Sequence, residues 1–170
     1  GANIGCHTIG LNNMCNDMNI RIESFEPQPI IYDILEKNIT FSDNTNMIPH
    51  KVGLGSSNTT IYTTMPNYYT CDNPGGFGLT YGDKLHQTDI EIEIRTLDSY
   101  NFENVSLIKI DVECHEGQVI EGAKDTIHRC RPVMFVEILG GTHYDKASID
   151  QRNYIDGVKQ MITELGYNIQ

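Results

Sequence analysis

A chain of 170 residues, 39% hydrophobic and 21% charged, carries enough apolar material for one substantial core and too much for a disordered polymer. Its formal net charge of −11 and pI near 4.8 argue against attraction to a nucleic-acid backbone or an anionic membrane surface, and no apolar run has the length of a membrane span. No signal-like segment opens the sequence. Cys6, Cys15, Cys71, Cys114 and Cys130 show no C-x-x-C spacing, so they read as reduced thiols in a cytoplasmic protein.

The first stretch, Gly1-Ala2-Asn3-Ile4-Gly5, precedes a helical pattern in Ile9, Leu11, Met14 and Cys15. Small residues at such a bend let backbone N–H groups and a helix N-terminus approach a ligand. Residues 20–25 read as a short strand, and Pro27 and Pro29 end it. Ile30, Ile31, Ile34 and Leu35 then form the apolar face of a second helix. Glu26 stands 21 residues beyond Gly5 (26 − 5). An acidic residue at about that distance beyond a Gly-rich turn, at the end of the next strand, suits a pair of ribose hydroxyls. A pyrophosphate-binding turn needs Gly at its middle position, where this chain has Asn3. An adenosyl cofactor without phosphates therefore fits better than NAD.

Residues 47–54 predict a strand, 59–63 a β-rich run, and 65–86 a long loop rich in Tyr and Gly. Ile90, Ile92 and Ile94 alternate with Glu91, Glu93 and Arg95 as a half-exposed strand does. The stretch 107–112 reads as a central strand, with Asp111, Glu113 and Glu116 gathered at its C-terminal end, where open α/β sheets bind ligands. Val119, Ile120, Ala123 and Ile127 follow at helical spacing, with Gly122 as the weak position. Residues 133–136 predict a buried strand ending at Glu137, followed by a Gly140-Gly141-Thr142-His143-Tyr144 loop. A helix from about Asp150 to Leu165 is stopped by Gly166, and Tyr167-Asn168-Ile169 begins another strand. Strands alternating with helices indicate a mostly parallel sheet covered on both faces.

Gly1-Ala2-Asn3-x-Gly5, Phe25-Glu26-Pro27, Thr96-Leu97-Asp98, the strand Leu107–Val112 running into Glu113-x-x-Glu116, Gly122-Ala123, and Arg131-Pro132 with Glu137 occur in an order and spacing that resemble the FkbM-type methyltransferases over nearly the whole chain. The resemblance implies a Rossmann-like class I methyltransferase fold. This is a three-layer α/β/α, mostly parallel sheet in a single domain over 1–170, without its first strand before Gly1 and its last antiparallel strand after Ile169. It also implies S-adenosyl-L-methionine as cofactor and O-methylation of a hydroxyl on a sugar or small metabolite, so that the partner is a small-molecule or glycan acceptor rather than nucleic acid or membrane. By the same resemblance Gly1, Asn3 and Gly5 form the turn around the cofactor's amino-acid end, Glu26 takes the ribose hydroxyls, and Asp111 lies beside cofactor and acceptor. Cys114 departs from the family, which usually carries Gly there; the turn is altered if that Gly needs a positive φ.

Methyl transfer to a hydroxyl requires alignment and a base. Histidine titrates nearest neutrality, and His115 follows the strand end directly, so it ranks first, ahead of Asp111 and His143. Asp111, Glu113, Glu116 and Glu137 offer an alternative use as ligands of a hard divalent cation. The expectation is no metal, the carboxylates pairing with Lys109 and Arg131. The competing functional class is a methyltransferase-like module that binds the nucleoside but lacks chemistry.

Overall fold

The computed structural model describes residues 1–15, 18, 20–42, 45–70, 90–138 and 144–170. They form a mixed α/β structure of two compact units: the first holds the described part of 1–53 with 60–65 and 90–94, the second 54–59, 66–70 and the described part of 95–170. Most of the 65–86 loop, the Gly140–His143 stretch and Cys71 lie outside the described residues.

In the first unit, helix α1 (Cys6–Met14) leads to strand β1 (Ile22–Phe25). Helix α2 (Pro29–Phe41) follows, with Pro29 in its first turn, where a missing N–H costs nothing. Strand β2 (Met47–His50) pairs parallel with β1, Ile22 opposite Met47 and Phe25 opposite His50. Leu35, Ile39 and Met47 are buried together, with Ala2, Ile9, Ile22 and Tyr32 packed around them. Full burial of such a side chain contributes about 1.5–3 kcal/mol. Only part of the predicted α2 face is core: Ile31 and Leu35 are buried, whereas Ile30 and Ile34 are exposed. Short strands β3 (Gly53–Leu54), β4 (Thr59–Thr63) and β5 (Ile90–Arg95) form a sheet in the order β3-β5-β4. The single strand expected over 47–54 is thus two strands in different sheets.

In the second unit, β6 (Leu107–Ile110) pairs parallel with β7 (Val133–Val136), Leu107 opposite Val133 and Ile110 opposite Val136. The expectation of a fully buried β7 does not hold: Val133 and Phe135 are 68% and 60% exposed, because alternate side chains leave the sheet on the face away from its buried partner Ile110. The helix expected across 116–127 is two helices, α3 (Glu116–Glu121) and α4 (Lys124–Cys130), broken at Gly122-Ala123. Asp98, in the 3₁₀ turn Leu97–Tyr100, supplies the start of α4: its carboxylate accepts from the N–H groups of Asp125 (3.1 Å) and Thr126 (2.8 Å). Helix α5 (Ile149–Glu164) opens with a capping box between Ser148 and Gln151 and buries Ile155, Val158 and Ile162.

Gly166, at φ +81, ends α5 as predicted, but no strand follows. Arg131 donates to the carbonyls of Leu165 (2.6 Å) and Gly166 (3.1 Å) while its guanidinium lies over the Tyr167 ring. The Tyr167 hydroxyl donates to the Pro132 carbonyl at 2.8 Å. Arg131 therefore ties down the end of α5 and is not the carboxylate partner that the sequence suggests. No helix of the described residues is long and apolar enough to cross a membrane.

Candidate functional site

The residues singled out in the sequence fall into two groups, one in each unit. In the first unit, the Ala2 N–H donates to the Phe25 carbonyl at 2.9 Å, which sets the opening turn against the end of β1. Asn3 adopts φ +51, a region that Asn tolerates better than most residues, and its Oδ1 accepts from the Ile4 N–H at 2.7 Å. Gly5, at φ +93, precedes α1; a Cβ there would lie 2.8 Å from Leu35 Cδ1, so both conformation and space call for glycine.

Glu26 is 3% exposed at the end of β1. Its Oε2 accepts from the Asn3 N–H at 2.9 Å and its Oε1 from the Gln28 N–H at 3.0 Å. A Cβ on Gly1 would sit 2.8 Å from the same Oε2. Burial pushes the Glu26 pKa up, while the bonds from Gln28 and Asn3 hold it down. Gly1, Asn3 and Glu26 are thus brought together, with Gly5 closing the same turn. Sequence reading missed the buried hydroxyl pair behind them, Thr8 and Ser24 at 2.8 Å. Two hydroxyl residues 16 positions apart leave no local pattern.

In the second unit, Asp111 pairs with Lys109 at 2.7 Å, as expected. The backbone then turns through left-handed conformations at Glu113 (φ +49) and Cys114 (φ +70). The positive φ at the departing Cys114 is therefore real, and a non-glycine residue there costs about 1–2 kcal/mol. His115 follows at the N-cap of α3, its Nδ1 3.3 Å from the Glu113 carbonyl. A carbonyl only accepts, so in that bond Nδ1 is the donor.

Glu116 is fully buried; its Oε1 accepts from the Cys114 N–H (3.2 Å) and its Oε2 from the Tyr154 hydroxyl (2.6 Å). Burial and that carboxylate push the Tyr154 pKa well above the ordinary tyrosine value. Tyr154, 38 residues away on α5, carries no sequence signal of this role. Among the described residues no three His, Cys, Asp or Glu side chains converge as a metal ion requires. His143 lies outside the described residues.

Burial raises the Glu113 pKa above 4.5, and the charges of Asp111, Glu137 and Glu116 add to the effect. A raised carboxyl pKa means that the folded state favours the protonated form. The associated stability is present below 4.5 and is lost as pH rises through the folded-state value. Glu113→Gln is therefore expected to raise the melting temperature at neutral pH, with a gain that fades as pH falls through the folded-state value and is gone below 4.5. Melting curves across that range check it; a gain that grows on acidification has the wrong sign.

The methyltransferase FkbM domain family matches residues 1–169 of this chain. A curated relative, "Methyltransferase 1" of Beauveria bassiana (strain ARSEF 2860), is 24% identical over 147 residues, covering 74% of this chain and 57% of that protein. The crystal structure of methyltransferase FkbM from Methylobacillus flagellatus KT superposes with a TM-score of 0.65 over 96% of this chain and 35% of that one, at 17% identity. That likeness is one of fold, and the chain spans little more than half the length of the curated relative and about a third of the solved one. A family match over 169 of 170 residues leads to one assignment: the chain belongs to the methyltransferase FkbM domain family.

Proposed function

We propose that this chain is the core of an S-adenosyl-L-methionine-dependent O-methyltransferase, with a Rossmann-like, three-layer α/β/α fold, acting on a hydroxyl of a sugar or small metabolite. The observation that carries the reading is Glu26: a buried carboxylate at the end of β1 that accepts from the backbone of the opening turn at Asn3. The Asn3 and Gln28 N–H groups each bond one Glu26 oxygen and the Gln28 side chain also bonds the carboxylate, so two ribose hydroxyls would take the remaining lone pair and the place that the Gln28 side chain holds. Gly1, Asn3 and Gly5 shape the turn for the amino-acid end of the cofactor. Asn3 argues against a pyrophosphate there, which disfavours a dinucleotide.

Bound S-adenosyl-L-methionine supplies an electrophilic methyl group. The chain's own residues then have two tasks, to align the acceptor oxygen and to take its proton. His115, whose Nδ1 donates to the Glu113 carbonyl, is the proposed base, and Asp111, held by Lys109, is the proposed orienting carboxylate. Acceptor, cofactor and a cytoplasmic setting are parts of the proposal. A second reading, a cofactor-binding module without chemistry, is favoured by Cys114 at φ +70, where the family usually has Gly.

Calorimetry with S-adenosyl-L-methionine and with NAD tests the site, and transfer of a labelled methyl group tests the chemistry. Glu26→Ala is expected to weaken cofactor binding by about 2–4 kcal/mol, the loss of two hydrogen bonds to a charged group allowing for non-additivity. The melting temperature controls for the two backbone bonds that the carboxylate also accepts. Unchanged affinity would refute the ribose assignment.

A further inference from the structure

We propose that Tyr154 is a positioning residue: through the buried Glu116 carboxylate it holds the left-handed turn at Glu113 and Cys114 in the shape that presents Asp111 and His115. The consequence for rate rests on the methyl-transfer reading; the hold itself rests on geometry. Two successive non-glycine residues at φ +49 and +70 are sterically disfavoured, so a specific interaction has to keep them there. Glu116 supplies it from inside the unit. Its Oε1 takes the Cys114 N–H, and its Oε2 takes a short, charge-assisted bond of 2.6 Å from the Tyr154 hydroxyl.

The phenol comes from a rigid element, since α5 is capped by Ser148 and Gln151 and anchored by Ile155, Val158 and Ile162. His115 belongs to the same turn through its contact with the Glu113 carbonyl. Without the phenol, Oε2 becomes a buried anionic oxygen that has lost its donor. The carboxylate then reorients, and its grip on the Cys114 N–H loosens.

The test is Tyr154→Phe in the intact protein, read by amide hydrogen exchange and by kinetics. Exchange at the Cys114 amide is expected to rise about tenfold while Ile155 and Val158 keep their wild-type rates. With the turn displaced, kcat is expected to fall about tenfold, and KM for S-adenosyl-L-methionine to stay within about twofold, as loss of an interaction specific to the transition state requires. Glu116→Gln is the graded variant: its carboxamide oxygen still accepts from the Cys114 N–H, but its NH₂ cannot accept the phenol proton and the charge-assisted bond is lost, so Cys114 exchange is expected to rise less than in Tyr154→Phe. Unchanged Cys114 exchange in Tyr154→Phe overturns the proposal, as does a matching rise at Ile155 and Val158, which would mark general loosening. Faster Cys114 exchange with unaltered kcat overturns the positioning role. A wild-type protein without methyl transfer, combined with the exchange shift, counts against the functional reading and supports the hold.

Discussion

Gly122→Ala is expected to destabilise the second unit by roughly 3 kcal/mol or more, at the upper end of what overpacking costs. A Cβ at this position would lie 1.9 Å from the Gly55 carbonyl oxygen, 3.0 Å from its carbon and 3.3 Å from Ser56 Cα. All three are backbone atoms, so no side chain is available to swing aside. Both strands of chain are also held: the Gly55 N–H donates to the Arg95 carbonyl at 2.9 Å, and the Gly122 carbonyl accepts from the Asp98 N–H at 3.0 Å. Gly122 itself has φ −81, which alanine adopts freely, so the penalty comes from contact and not from backbone conformation. Urea denaturation checks it. A loss below about 1 kcal/mol would mean that the 55–56 backbone yields, since most surface-like substitutions fall in that range.

In turnover assays of the intact protein, His115→Ala and Asp111→Asn are each expected to lower kcat by about 10²–10⁴-fold, the range for removal of a general base or its orienting group. Cofactor affinity and melting temperature should change little, because neither side chain is part of the core and the Asp111–Lys109 ion pair is part-exposed. Single-turnover methyl transfer separates the chemical step from binding. Near-wild-type turnover in both variants would remove the acidic turn from the mechanism. Collapse of the fold in both would make the turn structural. A dependence on added Mg²⁺ abolished by chelation would return the carboxylates to the role of ligands and displace His115.

Several segments that carried the sequence resemblance prove to be scaffold. Thr96-Leu97-Asp98 starts α4: the Thr96 hydroxyl accepts from the Ser99 N–H, and Asp98 caps the helix from outside it. Gly122-Ala123 provides the close approach to Gly55, and Arg131-Pro132 fastens the end of α5. In these places a recognisable pattern reflects backbone hydrogen bonds and clearance. The acidic turn is different. Its Glu113 and Cys114 depart from favoured backbone geometry, as segments near functional sites often do.

Local pattern was sufficient to place α1, α2, α5, β1, β6 and β7 within a few residues, because helical and strand periodicities report which side chains face a core. Pattern also marked Glu26, since its distance from Gly5 is a property of one turn–helix–strand passage. It could not mark the break between α3 and α4, because Gly122 looks like one weak helical position until the 55–56 backbone is laid against it. Nor could it show that Val133 and Phe135 face outward, that Arg131 serves α5 and not the acidic cluster, or that Tyr154 reaches Glu116 from 38 residues away. Each of these depends on a partner distant in sequence. Periodicity is set by the dihedral preferences of neighbouring residues, whereas a close backbone approach or a buried carboxylate's donor is chosen only when separate elements pack.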